Sequence, residues 1–244
     1  MSHNAKGNSD HKVLGEIKRI IKERPTYGYR RITALLRLKY NINHKRVYRI
    51  MKENNLLLQK HNPRPTRTHT GRIITLNSDV RWCTDSFKIQ CWNGDYLEVA
   101  FSLDCHDREV ISWIASEKGI SGEMVRDLMS ETVENRFNST ETSHTVQWLS
   151  DNGPGYTARK TVIFGRSLGL EICTTAPYSP ESNGMAEAFV KTFKRDYVYV
   201  NDISSSDSVK SQLAKWFYDY NENAPHKGLG MMSPRLYRRK KLAS

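Results

Sequence analysis

Near Asp79 the chain changes both its hydrophobic period and the sign of its charge, and this double change points to a two-part design. Before it, apolar residues recur at helical spacing: Val13, Ile17, Ile20 and Ile21, then Ile32, Leu35 and Leu36, then Val47, Ile50 and Met51. After it, short strand-like runs alternate with helical ones. Residues 11–78 hold 17 Lys/Arg against 3 Asp/Glu, residues 79–200 hold 12 against 18, and residues 201–244 hold 8 against 4. The net charge of +12 is therefore concentrated at the two ends. A strongly basic, helical N-terminal part reads as a contact for a polyanion, with a solvated basic surface as the plainer alternative.

In that first part Pro25 ends the first helical pattern, and Thr26–Tyr29 is turn-like before a second helix that reaches toward Tyr40. Asn43 is placed to cap a third, from which Lys45, Arg46, Arg49 and Lys52 point outward. Short turns between such helices suit a helix-turn-helix, whose last helix enters the major groove of DNA. A basic helical adaptor is the competing reading. Lys60–Asn77 carries Pro63, Pro65, Gly71, three arginines and no acid, as a basic linker laid along phosphates would. Met1–Asp10 reads as an unstructured lead-in, unlike a secretory signal. The four cysteines, Cys83, Cys91, Cys105 and Cys173, form no CxxC pair, so neither a zinc site nor a disulfide framework is suggested and a reducing cytoplasm fits. No apolar run approaches the ~18 residues of a membrane span.

Beyond Asp79, strands are expected at Trp82–Gln90 and Tyr96–Leu103 around a hairpin at Trp92–Asp95, then at Val110–Ala115. A helix over Gly122–Asn135, a strand at Thr145–Leu149, a helix over Ala158–Leu168, a strand at Leu170–Thr174 and a helix over Gly184–Val198 follow. A last helix is expected at Asp207–Glu222. A meander followed by alternating units implies an α/β fold: a mixed five-stranded sheet flanked by helices, behind an all-α N-terminal domain.

Three acids stand out in this part. Asp85 shares a face of the first strand with apolar Cys83 and Phe87, where an acid costs desolvation energy unless something pairs with it. Asp151 follows the apolar Val146–Leu149 segment at a strand exit, where ligand sites gather in α/β folds; alone, Asp151-Asn152-Gly153 is simply a good turn. Glu187 follows with 35 residues between, on a helix that Ser182 or Asn183 can cap after the Pro-rich loop at Ala176–Pro180. At about 100° per residue, Asn183, Lys191 and Lys194 fall on the Glu187 side and Met185, Phe189 and Phe193 opposite; the bland reading is an exposed Glu–Lys pair. Together the three acids can converge at one sheet edge. Hard oxygen ligands suit Mg²⁺ or Mn²⁺, and two such ions serve phosphodiester chemistry. An acidic site of this kind needs basic flanks to hold DNA, which the charge division supplies.

The motifs Pro25–Arg31, Lys45–Met51, Trp82–Asp85, Ser150–Gly153 and Ser179–Glu187, with Tyr220-Asn221, Pro225-His226, Leu229-Gly230 and Ser233-Pro234, occur in order from about His11 to Tyr237. In this the chain resembles DDE transposases with a retroviral-integrase-like core, and within them the second-reading-frame proteins of the bacterial insertion-sequence family numbered three. The resemblance implies an RNase H-like catalytic core over 79–200, a helix-turn-helix-like domain over 11–60, a linker over 61–78 and a C-terminal helix and basic tail over 201–244. It implies Asp85, Asp151 and Glu187 as catalytic metal ligands for Mg²⁺, with Mn²⁺ as substitute and two ions expected. It also implies cleavage at element ends, 3′-OH strand transfer and no covalent protein–DNA intermediate. Arg30, Arg31, Lys45, Arg46, Arg49, Asn183, Lys191 and Lys194 are the expected DNA-binding residues. Terminal inverted repeats and target DNA are the implied partners, with a homo-oligomer on DNA, an upstream-frame portion supplying end recognition, and a bacterial nucleoid-associated location. A catalytically inactive or domesticated DNA-binding regulator is the alternative, against which the intact triad argues. Two departures accompany the resemblance: Glu181 stands where many relatives carry Gln, and no Cys precedes Cys83, so a retroviral-type His₂Cys₂ zinc module is absent.

Overall fold

The computed structural model describes residues 3–59, 75–175 and 183–243, with side chains from Asp10 onward. Most of the expected basic linker, and the Pro-rich loop with Glu181 and Ser182, lie outside the described residues. The chain divides into a helical unit containing α1–α3 and a larger unit containing a sheet.

The helical unit follows its apolar spacing. Helix α1 (His3–Glu23), α2 (Tyr29–Leu36) and α3 (His44–Glu53) bury Val13, Ile17, Ile32, Leu36, Val47 and Met51 in one core. Asn43 caps α3 as its position predicts, its side-chain oxygen accepting from the Lys45 amide (2.9 Å). Two details differ from expectation. Helix α1 begins at His3, well inside the segment read as unstructured, and Asp10 accepts hydrogen bonds from Arg46 and Arg49 of α3 (2.7 and 2.6 Å). Helix α2 stops at Leu36, leaving Tyr40 beyond it and exposed.

In the larger unit the strands are β1 (Arg81–Gln90), β2 (Tyr96–Asp104), β3 (Val110–Ser116), β4 (Val146–Ser150) and β5 (Leu170–Thr174). They form one sheet in the order β3-β2-β1-β4-β5. The β1–β2 and β2–β3 pairs are antiparallel; β1–β4 and β4–β5 are parallel. The order of elements in the sequence predicts this mixed sheet: a meander needs only tight turns, whereas parallel strands need the helical crossovers that follow. Period-two alternation sends Trp82, Trp148 and Ala100 to one face, under α4 (Gly122–Phe137), α5 (Pro154–Thr157) and α6 (Arg159–Ser167). Cys83, Phe87 and Phe101 go to the other, under α7 (Gly184–Phe193) and α8 (Ser206–Asn223).

The expected single helix over Gly184–Val198 is α7 followed by a wider π turn, Lys194–Val198, closed by the Tyr199 amide bonding to the Lys194 carbonyl (2.9 Å). The extra residue in that turn lets Phe193, Tyr197 and Val198 all face the core. Part of the expected basic tail is also ordered. Helix α9 (Pro234–Leu242) is fastened through Arg235 to Glu109 (2.7 Å) and Glu222 (3.3 Å). Arg238 approaches Asp79, Asp107 and Glu109. These acids surround the buried Arg136 of α4, 3.0 Å from each of Asp79, Asp107 and Glu109 and 3.6 Å from Asp104. The described end of the expected linker folds here too: Ser78 donates to Asp107 (2.8 Å), and the Thr75 carbonyl meets His106 Nδ1 (2.8 Å).

Candidate carboxylate site

The sheet brings two of the three sequence-selected acids to one level. The parallel β1–β4 register runs Arg81↔Gln147, Trp82↔Trp148 and Cys83↔Leu149. Two residues further along stand Asp85, in the middle of β1 where its pairing with β4 has ended, and Asp151, just past the carboxyl end of β4.

Asp85 is half-buried on the face covered by α7. Burial raises its pKa to about 6; the Ser86 amide, donating to Oδ1 (2.8 Å), pulls it down, and the negative charges of Asp151 and Glu187 push it up. Acids from a loop and a helix thus both bear on the one in the strand. Asp151 is exposed, and its Oδ1 accepts from the Gly153 amide (2.9 Å). A Cβ at position 153 would lie 3.0 Å from that oxygen, so glycine keeps the turn open. The turn reading and the site reading of Asp151 therefore coexist. Glu187 sits in the first turn of α7, where the free amides of a helix start favour an anion. It meets Lys191 at 3.4 Å.

Among the described residues, no three His, Cys, Asp or Glu side chains are gathered tightly enough to enclose a metal ion. The acids nevertheless fit a hard divalent cation. They offer oxygen donors only, and their mutual repulsion at Asp85 is what a bound cation would relieve.

The residues expected to bind DNA fall into different settings. Arg30 and Lys45 are exposed, Arg30 also bonding the Tyr29 hydroxyl (3.0 Å). Arg31 lies over the Tyr27 ring, 3.5 Å from its centroid, and Arg46 and Arg49 pair with Asp10 at 2.6 Å each. Lys191 is 79% exposed. Asn183 is buried instead, because its amide donates to the Thr84 carbonyl (3.3 Å) and joins the start of α7 to β1. Lys194 is withdrawn over the Phe87 ring, with burial lowering its pKa. Sequence reasoning passed over Asp10 and Thr84. Asp10 carries a weak signal as the single acid of the first ten residues. Thr84 carries none of its own, since its neighbourhood exists only once β1 and α7 are packed.

The strand order and crossovers are those of an RNase H-like fold, and the family matches make the chain a polynucleotidyl transferase of the integrase type. The integrase core domain family matches residues 77–180, a second integrase core family matches 168–234, and an HTH-like domain family matches 9–64. Transposase InsD for insertion element IS2A/D/F/H/I/K of Escherichia coli is 47% identical over 240 residues, covering 95% of this chain and 80% of that protein. Transposase InsD for insertion element IS2-9 of Escherichia coli strain K12 is also 47% identical, over 95% of this chain and 78% of that one. The chain belongs to this family of insertion-element transposases. Its fold also resembles a chain of the simian T-cell lymphotropic virus intasome, solved in complex with PP2A regulatory subunit B56 gamma. That match has a TM-score of 0.57 and 16% identity, and covers 91% of this chain and 74% of that one. DNA is accordingly its partner. Among the described residues, no helix is long and apolar enough to cross a membrane.

Proposed function

We propose that Asp85, Asp151 and Glu187 are the carboxylate triad with which this transposase cuts DNA at the ends of its element and joins the freed 3′-OH to new DNA. One observation carries the reading: Asp85 and Asp151 stand two residues beyond the same pair of the β1–β4 register, Cys83↔Leu149, and Glu187 lies in the first turn of α7, the helix over the Asp85 face. Asp85, Asp151 and Glu187 would hold Mg²⁺ or Mn²⁺, expected as two ions, which would supply activation of the attacking oxygen and neutralisation of the leaving one. The chain's own part is to hold the acids in place. The Ser86 amide orients Asp85, the Gly153 amide orients Asp151, and the first turn of α7 presents Glu187. Water is the first nucleophile and the freed 3′-OH the second, so no side chain becomes covalently attached to DNA. Lys191 exchanges its contact with Glu187 for a phosphate when DNA arrives.

In the same reading residues 11–60 are the DNA-binding domain, 61–78 the linker, 79–200 the catalytic core and 201–244 a C-terminal extension. Arg30 and Lys45 face phosphates directly, and Arg46 and Arg49 do so while held by Asp10. Joining two ends calls for at least two copies on DNA, and an upstream-frame portion supplies end recognition in the bacterial nucleoid.

The test is Asp151→Asn, assayed with labelled DNA carrying the element ends and Mn²⁺. Products longer than the substrate should fall by more than ~10²-fold, beyond what loss of an outer-shell contact does, while DNA binding persists. Joining at the parental rate overturns the triad; fragments without joined products from the parent chain mark a nuclease instead.

A further inference from the structure

We propose that Asn183 is a positioning residue: by tying the start of α7 to β1, it sets where Glu187 stands relative to Asp85. The inference rests on the triad reading and extends it to a buried side chain that is not one of the three acids.

Asn183 occupies the cap position of α7, yet its side chain makes no capping hydrogen bond. An asparagine in that place ordinarily accepts from an amide of the first turn. Here the side-chain amide reaches the sheet instead and donates to the Thr84 carbonyl (3.3 Å). Both residues are buried, Asn183 at 7% exposure and Thr84 at 0%. The side-chain oxygen of Asn183 is buried as well and has no hydrogen-bond partner among the described residues. A buried amide with half of its bonding unmet is costly, and a position that served packing alone would be better filled by an apolar side chain.

The bond stands beside two of the three acids. Thr84 directly precedes Asp85 in β1, one residue past Cys83↔Leu149, the last pair that β1 makes with β4. Glu187 follows Asn183 by four residues, about one turn further along α7 and on the same side of it. Beyond that turn the helix is held by aromatic packing, Phe189 against Phe101 (ring centroids 4.4 Å apart) and Phe193 against Phe87 (5.7 Å). Apolar packing is non-directional and lets a helix tilt or slide, whereas a hydrogen bond at its start sets one distance. Groups that hold metal ligands in place are worth roughly 10–100-fold in metal affinity.

The experiment uses the full chain. Mn²⁺ affinity is measured without DNA by electron paramagnetic resonance of the free ion, duplex DNA affinity without metal, and joining at varied Mg²⁺, alongside thermal unfolding. Asn183→Leu roughly keeps the volume of the side chain and removes the donor together with the unpaired oxygen. It should weaken Mn²⁺ binding about 10–100-fold and leave duplex affinity at the parental level. The Mg²⁺ needed for half-maximal joining should rise, with the rate at saturating Mg²⁺ near that of the parent, because all three acids remain. The melting temperature should stay within ~4 °C of the parent. Parental Mn²⁺ affinity overturns the proposal, and weaker duplex binding beside it makes Asn183 a DNA contact instead. A weaker Mn²⁺ affinity accompanied by a melting temperature more than ~10 °C lower also overturns it, in favour of a purely structural role. Should Asn183→Leu fail to fold, Asn183→Ala decides by the same readings. Glu187→Gln separates the two levels. If it keeps Mn²⁺ affinity and joining, the triad reading has failed. If it loses both while Asn183→Leu keeps both, only the positioning role has failed.

Discussion

The larger unit contains two groups of acids that composition alone cannot tell apart. Asp79, Asp104, Asp107 and Glu109 surround Arg136, whose side chain is 1% exposed, and α9 adds Arg235 and Arg238. Asp85, Asp151 and Glu187 stand in the middle of β1, just past the end of β4 and in the first turn of α7, and the ion pair shown for them is the open contact from Lys191 to Glu187. Both groups raise a carboxyl pKa by burial and by neighbouring acids, at Asp104 and at Asp85. The difference lies in the cation. The first group contains its own, and the acids and guanidinium neutralise each other as part of the core. The second has charge left over, and leftover negative charge at a strand exit is what a divalent ion and its DNA substrate can use.

Removing a charge should therefore have opposite consequences in the two groups. The largest effect is expected at Arg136. Arg136→Met leaves several buried acids without their central partner and should cost about 3–5 kcal/mol in urea unfolding at pH 7. A loss below ~1 kcal/mol would mean that Arg235 and Arg238 suffice, and the contrast would dissolve. At the other group Asp85→Asn should stabilise the metal-free protein. The folded pKa of Asp85 is about 6, above its ordinary 3.8, so the folded state holds the proton more tightly than the unfolded chain. The fold then loses stability as pH rises from about 4 to 6, and the penalty is complete above that. The asparagine variant should melt higher at pH 8, on the order of 2–4 °C, and the gain should vanish at pH 4. A lower melting temperature at pH 8 would make Asp85 a structural acid. The same proton competes with metal: Mn²⁺ affinity of the parent chain should fall up to tenfold per pH unit below about 6, and a flat profile from 7 to 5 would remove Asp85 from the ligand set.

How much of this was legible beforehand differs by element. The mixed sheet was, because hydrophobic period and the order of strands and helices are local properties of the chain. Strand edges moved by a residue or two, as with β4, expected at Thr145–Leu149 and found at Val146–Ser150. The three acids were singled out as a set by the motifs around them and remain a proposal, while the common level of Asp85 and Asp151 depends on a β1–β4 register formed across more than sixty residues of chain. The Arg136 group was illegible, since Asp79, Asp104, Asp107, Glu109 and Arg238 meet only through tertiary packing. For the same reason α9 was read as a tail: its sequence, Pro234-Arg235-Leu236-Tyr237-Arg238-Arg239, looks like a solvated basic end until the acids that fasten it are in place. Asn183 and Lys194 were assigned by helical angle to the Glu187 side. That angle cannot register that β1 lies close enough to bury Asn183, or that a π turn carries Lys194 over Phe87.

Asp10 supplies an intermediate case and the smallest expected effect. It is a partly exposed acid with two resident cations: the hydrogen bond from Arg49 holds its carboxyl below the usual range, burial opposes this, and the hydrogen bond from Arg46 adds to the lowering. Ion pairs this open contribute little, so Asp10→Asn should change the stability of the chain by less than ~1 kcal/mol. Its consequence should be electrostatic. With Asp10 neutral, Arg46 and Arg49 carry their full charge to an incoming phosphate backbone, and binding to non-specific duplex DNA should tighten. It should also depend more steeply on salt, by up to about one unit of log–log slope for each additional phosphate neutralised. Arg46→Ala and Arg49→Ala should flatten the same slope. If Asp10→Asn binds more weakly, the acid is orienting the two arginines rather than competing for them, and Asp10 then belongs with the Arg136 group, where an internal counter-ion maintains the structure instead of occupying a site.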